Sequence, residues 1–266
     1  VVIGDSINTT TATLTSAGEG NEDAGSITYT VNLNHVTDGE QNFKLTLSNG
    51  QEVTITVAAG AATGTVTVGW GTELPPGTVA LEGYPDSDVF KEDNVSLTVD
   101  GFVADGSGGN FEDLDVVNSS TPVVIGDSIN TTTATLTSAG SGNEDNGSIT
   151  YTVTLNNATQ GAQNFSFQLS NGQTVNVTVA AGATTGTAKL GWGSGLTGGA
   201  TALNGYPNSD VFKEADVNLT ATDFKAVGTG GNFEGLAVVN SSTPVVISDS
   251  INTTTATLTS AGSGNE

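Results

Sequence analysis

VVIGDSINTTTATLTSAG, residues 123–140, also stands at residues 1–18 and returns at residues 245–262 with one change, Ser248 in place of Gly126. The interval is 122 residues each time. Trp70 and Trp192, Tyr84 and Tyr206, and Phe111 and Phe233 keep it, so the copies align without a gap. A gapless period of this size means tandem copies of one domain. The stretch itself holds an apolar run (123–125), a short polar linker with one acid, Asp127, and a threonine-rich alternating run. It reads as the last strand of one domain, a linker, and the first strand of the next. The expected division is therefore 1–5 as the end of a preceding repeat and its linker, 6–127 and 128–249 as two complete domains, and 250–266 as the first strand and loop of a third.

The 266 residues hold two full periods and 22 residues of another. Each period is long enough to bury its own core. With no cysteine there is neither a disulfide framework nor a thiolate metal site. The sequence has no Arg and no Met, and it opens mid-pattern, as a fragment of a longer protein would. No run of 18 apolar residues is present, so no membrane-spanning helix is expected. A net charge of −23 repels nucleic-acid phosphates and anionic membrane surfaces and attracts cations. This balance, rich in Gly, Thr, Ser and Asn, suits a secreted β-protein that neither binds nucleic acid nor inserts into a membrane.

Period-2 runs of Val, Ile and Thr recur between turn residues, and helical periodicity is absent. In the first copy seven antiparallel strands are expected, at about 11–15, 26–33, 42–47, 52–58, 64–69, 95–99 and 114–125, with an Asn-Gly hairpin turn at Ser48-Asn49-Gly50. Seven short strands in one period predict an all-β chain of tandem immunoglobulin-like β-sandwich domains, arranged end to end as a rod. Without the usual cysteine pair the core must rest on Trp70, Tyr29, Phe43 and the aliphatic faces. An odd strand count makes the chain enter a domain at one pole and leave at the other. The loops after the first, third and fifth strands then share the trailing pole. Residues 70–94 are long enough to hide a further strand.

Between the copies 36 of 122 aligned positions differ and 86 are identical. The first copy has 18 acids, of which six remain acidic in the second: Asp5, Glu22, Asp23, Asp88, Glu92 and Glu112. Their partners are Asp127, Glu144, Asp145, Asp210, Glu214 and Glu234, while Asp86 becomes Asn208 and keeps a carbonyl oxygen. Acids as a class are thus exchanged freely, as on a solvated surface, and these six are the candidates for a role. On the seven-strand count each joint gathers Glu22, Asp23, Asp88, Glu92, Asp127 and, from the next domain, Glu234. So many carboxylates repel unless a cation neutralises them. An oxygen-only ligand set points to Ca2+, with its flexible six to eight ligands, over Mg2+, which demands an octahedron. Ordinary solvated loop acids are the competing reading.

At these residues the chain resembles the extender repeats of giant RTX adhesins, bacterial proteins exported by type I secretion. SITYTV, SNGQ, AAGATTGT, YPNSDVFKE, GGNFE and DSINTTTATLT carry the likeness, in order and along the whole chain. The resemblance implies calcium at the domain joints, an extracellular place on the bacterial cell surface, and a role in adhesion and biofilm. The array would project a distal binding region away from the outer membrane. By motif, the linker acid falls on Asp5, Asp127 and Asp249, the DVF acid on Asp88 and Asp210, and the GGNFE acid on Glu112 and Glu234. A departure is Asn130, with Asn8 and Asn252, where an acid would close the linker. No glycine-rich nonapeptide calcium repeat is present.

The expected function is a structural spacer, a calcium-stiffened monomeric rod whose partners are the neighbouring repeats of the same chain through calcium-bridged joints. The alternative is a calcium-dependent binding module for carbohydrate, peptide or ice. An enzyme is not expected: the lone His35 becomes Asn157, there is no Cys, and no GxSxG elbow occurs. The tail 253–260 repeats the first strand and has no sheet of its own to join, so it needs a neighbouring edge to be ordered.

Overall fold

The computed structural model describes residues 4, 6–83, 87–205 and 209–264. Two of the expected site residues, Asp5 and Asp86, and the expected strand end at 1–3 lie outside the described residues. The chain divides into two compact units, Val1–Ile129 and Asn130–Glu266.

The first unit contains β1 (Thr9–Asn21), β2 (Gly25–Leu33), β3 (Gln41–Leu47), β4 (Glu52–Val57) and β5 (Thr63–Trp70). It continues with β6 (Thr78–Ala80), β7 (Val95–Leu97), β8 (Val99–Asp105), β9 (Asp113–Asn118) and β10 (Val123–Gly126). The second unit repeats this order as β11 (Thr131–Asn143), β12 (Gly147–Leu155), β13 (Gln163–Leu169), β14 (Thr174–Val179) and β15 (Thr185–Trp192). Then follow β16 (Thr201–Ala202), β17 (Val217–Leu219), β18 (Ala221–Val227), β19 (Gly235–Asn240) and β20 (Val245–Ser248). A single 3-10 turn, Gly193–Gly195, is the exception to an all-β architecture among the described residues.

Each unit is a sandwich of the expected immunoglobulin-like kind. One sheet of the first unit runs β6-β5-β2-β1-β10-β7, with β9 also on β1, and the other runs β4-β3-β8. Alternation places the core. In β4 every second residue, Val53, Ile55 and Val57, is buried, and in β2 so are Ile27, Tyr29, Val31 and Leu33. Tyr29, Phe43 and Trp70 are all buried, as expected, with Phe43 stacked on Phe102 at 5.5 Å between ring centroids. The Trp70 ring lies over Gly20 and Gly25, where an added Cβ would stand 2.6 Å and 2.3 Å from its Cζ2. Its Nε1 donates to the Asn21 carbonyl at 2.6 Å. The glycines of the AGEGNEDAG segment therefore make room for the tryptophan.

The expected strand scheme needs correction at several points. The described strands number ten per unit, not seven, and where one strand was expected at 95–99 there are two, β7 and β8, the second running on to Asp105. The first strand runs on to Asn21, because Gly20 pairs with Gly25 beneath Trp70 and leaves only residues 22–24 as a turn. The stretch 70–94 does hide a strand, β6, parallel to β5. The expected last strand breaks in two ahead of β10, where Pro122 lacks an amide donor. Ser16 bridges the break, donating to Thr121 O at 2.8 Å and accepting from Thr121 N at 2.9 Å. Finally, the pairing is not purely antiparallel: β9 and β10 both run parallel to β1. Gly126 thus ends beside Asn21, the far end of β1 from Thr9. Within a unit the chain does enter at one pole and leave at the other, for this reason and not because of an odd strand count.

Residues 253–262 repeat residues 9–18 letter for letter. Leu14 and Leu136 are fully buried in their sheets, but Leu258 is 97 % exposed and its stretch joins no ladder. Strand propensity needs neighbours to express it.

Candidate functional site

At the trailing pole of the first unit, the turn 22–24 is shaped by Asn21, whose Oδ1 accepts from Asp23 N at 3.1 Å and Ala24 N at 3.2 Å. Glu22 N donates to Gly126 O at 2.8 Å, which ties this turn to the end of β10. Glu22 is only 5 % exposed, and its Oε1 accepts from the linker hydroxyl of Ser128 at 2.9 Å. Glu22 and Asp127 bring carboxylate oxygens within 4.8 Å of each other. Asp127 Oδ2 accepts from Glu92 N at 3.4 Å, and Asp127 N donates to Asn94 Oδ1 at 3.3 Å. Around this pair, Asp23 Oδ1 accepts from Ser87 at 2.6 Å and Asp88 Oδ1 from Phe90 N at 2.6 Å.

The second unit repeats the arrangement. Glu144, again 5 % exposed, donates its amide to Ser248 O and accepts the Ser250 hydroxyl at 2.8 Å. Asp249 Oδ2 accepts from Glu214 N at 3.3 Å, and Asp249 N donates to Asp216 Oδ1 at 3.4 Å. Asp145 Oδ1 accepts from Ser209 at 2.5 Å, and Asp210 Oδ1 from Phe212 N at 2.7 Å. Asn252 reaches back to Asp210 O at 2.6 Å. The Ser209 hydroxyl first, then that of Ser250, hold the Asp145 carboxyl below its ordinary pKa of 3.8; desolvation pulls it up, and Asn252 adds the smallest downward pull.

Glu112 and Glu234 lie at the leading poles. Glu112 Oε2 accepts from Asn8 N at 2.6 Å, and Glu234 Oε2 from Asn130 N at 2.5 Å. Their GGNFE turns rest on a buried glutamine that the sequence did not single out. Gln41 Nε2 donates to Asn42 O and Gly106 O, and its Oε1 accepts from Gly109 N. Gln163 does the same in the second unit. A Cβ on Gly108 would meet Glu40 O at 2.0 Å, so the turn requires glycine there.

The trailing-pole acids thus converge within each unit, with Glu22 and Asp127, or Glu144 and Asp249, at the centre. Glu92 and Glu214 are exposed and contribute a backbone amide to the linker acid. Ser128 and Ser250, which anchor the glutamates, carry no mark in the sequence, since most neutral residues are identical between the copies.

The donor chemistry suits a hard cation. Glu22 and Glu144 are the only buried carboxylate residues among those described. Glu144 Oε2, Asp249 Oδ1 and Asp127 Oδ1 are buried without a hydrogen-bond donor. A buried anionic oxygen with no donor is strongly destabilising unless a positive charge faces it. Oxygen donors without His or Cys match Ca2+ or Mg2+, not softer metals.

A type II cohesin dyad from the adaptor ScaA scaffoldin of Acetivibrio cellulolyticus is similar at 12 % identity and a TM-score of 0.18, over 90 % of this chain and 99 % of that one. A score this low carries no argument. The comparison with curated proteins returned no match. A family model described as LapA domain matches residues 8–128 and again 130–250. Those two spans take in nearly the whole sequence, one per repeat, and the chain belongs to the LapA domain family.

Proposed function

We propose that the chain is a spacer segment of a bacterial cell-surface adhesin, a run of immunoglobulin-like repeats stiffened by Ca2+ at their joints. It would hold a distal ligand-binding region away from the cell. Membership of the LapA domain family supports an adhesin at the cell surface, since LapA is a large adhesin of biofilm. An adhesin-type domain on an all-β sandwich points to a structural rather than an enzymatic protein. Export by type I secretion and kinship with RTX extenders rest on the motif resemblance.

The calcium reading is carried by one observation: buried carboxylate oxygens with no donor, on Asp127, Glu144 and Asp249. At the first joint Glu22 and Asp127 would hold the ion, with Asp23, Asp88 and Glu92 around them. Glu234 is a further candidate, since it accepts from Asn130 N, three residues along the chain from Asp127. At the next trailing pole the set is Glu144, Asp145, Asp210, Glu214 and Asp249, and at the leading pole Glu112 is the candidate. Bound there, a divalent cation would neutralise the carboxylates and fix the linker against the strands that carry them.

A ligand that binds only the folded state stabilises it by mass action, by about 2.7 kcal/mol at a hundredfold excess over Kd. Chelation should therefore lower the melting temperature and broaden the small-angle scattering profile as residues 126–130 gain freedom. The first copy carries 18 acids against two lysines and the second 8 against three, so at low salt the first should lose more on chelation. An unchanged melt and profile in EDTA would remove the calcium reading.

A further inference from the structure

The trailing pole of the second unit assembles its acids with groups of that unit alone. The counterpart of Glu234 for this pole would fall 122 positions further on, outside the 266-residue sequence. Glu144 is nevertheless 5 % exposed, held by Ser250 on one oxygen and left without a donor on the other. Asp249 is in the same state: Oδ2 takes the Glu214 amide and Oδ1, buried, takes nothing. The linker is already folded back over these acids. Ser250 bonds Glu144, and Asn252 bonds both Asp210 O at 2.6 Å and Ser250 Oγ at 3.0 Å. This accounts for Asn252 at a place where the resemblance led us to expect an acid: its amide donates, and a carboxylate there could not.

From this geometry we infer that each repeat, with the linker that follows it, is a complete cation-binding unit. Glu144 and Asp249 take one divalent cation without a carboxylate from a following repeat, and Ser250 is the residue that positions Glu144 for it. The inference rests on the calcium reading above and goes beyond it. A joint site shared by two repeats forms only when both are folded and docked. A site owned by one repeat and its linker sets the linker first, so the direction in which the chain leaves a repeat is fixed before the next repeat folds. The first unit repeats the arrangement at Glu22, which takes the Ser128 hydroxyl as Glu144 takes that of Ser250, and at Asp127, whose Oδ1 is buried without a donor like that of Asp249.

The test is calcium titration calorimetry on the chelator-stripped 266-residue chain and on Glu22→Gln and Glu144→Gln, each of which preserves shape and removes charge. The expected result is that either variant lowers the ion count by the same amount. If Glu22→Gln lowers the count and Glu144→Gln leaves it unchanged, the trailing pole needs a following repeat and the inference is overturned, while the calcium reading stands. If the wild-type chain takes up no calcium, the reading itself falls and the inference with it. Ser250→Ala guards against a folding defect in Glu144→Gln. It should keep the ion count and weaken the second site about tenfold, the worth of one hydrogen bond to a charged group. Ser250→Thr should restore the affinity. Equal affinities in all three forms would rule out a positioning role for Ser250.

Discussion

Asp38 and Gln160 occupy the same place in the two repeats and do the same work: each accepts a hydrogen bond from the asparagine of the GGN turn, at 3.0 Å and 2.8 Å. His35 and Asn157 are likewise interchangeable, each bonded to the threonine hydroxyl of the first strand. Glu22 and Glu144 also occupy one place, and neither has become glutamine. Where an acid serves only as a hydrogen-bond acceptor, an amide replaces it without loss. Where it is buried, both copies keep the charge, and in the second copy Glu144 Oε2 has no donor. The difference separates acids that decorate the surface, such as exposed Glu19 against Ser141, from acids kept in both copies although they are buried.

The cores differ as well, and there the exchange is of volume. Tyr29 pairs across the ladder with Val66, and Tyr151 with Ala188. Leu45 in the first repeat is Phe167 in the second, which tilts against Tyr151 at 4.7 Å. A larger residue on one side of the tyrosine accompanies a smaller one on the other, as close packing demands. The largest effect we expect follows from this. Phe167→Ala should destabilise the second repeat by about 3–5 kcal/mol, and Leu45→Ala the first by about 2–5 kcal/mol. Phe167→Leu should cost about 1–3 kcal/mol, and adding Ala188→Val should recover part of it, with a coupling of about 0.5–3 kcal/mol. Denaturant melts showing strict additivity would mean that the two positions were never traded against each other.

The buried tyrosines give the next effect. Burial pushes the phenol of both Tyr29 and Tyr151 up to about 12 from 10.0, because the phenolate is poorly solvated in the core. A folded-state pKa above the unfolded value contributes stability that is complete below pH 10 and is lost as pH rises towards 12. Each shift corresponds to about 2.7 kcal/mol when fully lost. Both repeats should therefore melt together in the alkaline range, and Tyr29→Phe or Tyr151→Phe should flatten the pH dependence of its own repeat. At neutral pH the two differ. Tyr151 OH is buried without a partner, so Tyr151→Phe should leave the second repeat as stable as before or more so. A loss of more than about 1 kcal/mol at pH 7 would show that the hydroxyl has a bonded partner, such as an ordered water.

The fold was legible where one period governs many residues. Period-2 runs of Val, Ile and Thr predicted the strands at 26–33 and 52–58, and the 122-residue interval gave the tandem order. It was not legible where one residue acts at a distance. Gly20 and Gly25 read as loop punctuation, yet they extend β1 because Trp70 lies on them. The parallel placement of β9 and β10 depends on Pro122 and on the two bonds of Ser16, a local event that no periodicity reports. At the site, the acids could be singled out because so few stay acidic between copies. Ser128, Gln41 and Asn21 could not, since identity is the rule among neutral residues and marks none of them. Their roles follow from burial and from hydrogen-bond partners, which exist only once the chain is folded.

The smallest effect separates the two poles by titration. Asp145 is held below its ordinary value chiefly by the Ser209 hydroxyl, with Ser250 and Asn252 behind it. A carboxylate whose folded-state pKa is depressed contributes stability above the unfolded value, and this is lost as pH falls through the folded-state value. In the metal-free protein Ser209→Ala should therefore raise the Asp145 pKa towards 3.8, read by the carboxyl resonance in an NMR titration. The stability gap between the variant and the wild type should be constant at neutral pH and close as pH drops below the ordinary carboxylate range. Asp23 makes the matching bond to Ser87 at 2.6 Å, so Ser87→Ala is the control in the first repeat. Should the Asp145 resonance titrate unchanged in Ser209→Ala, the hydroxyl does not set its proton affinity. The hydrogen bonds from Ser250 and Asn252 would then have to carry the depression, which makes the linker the stronger influence on this acid.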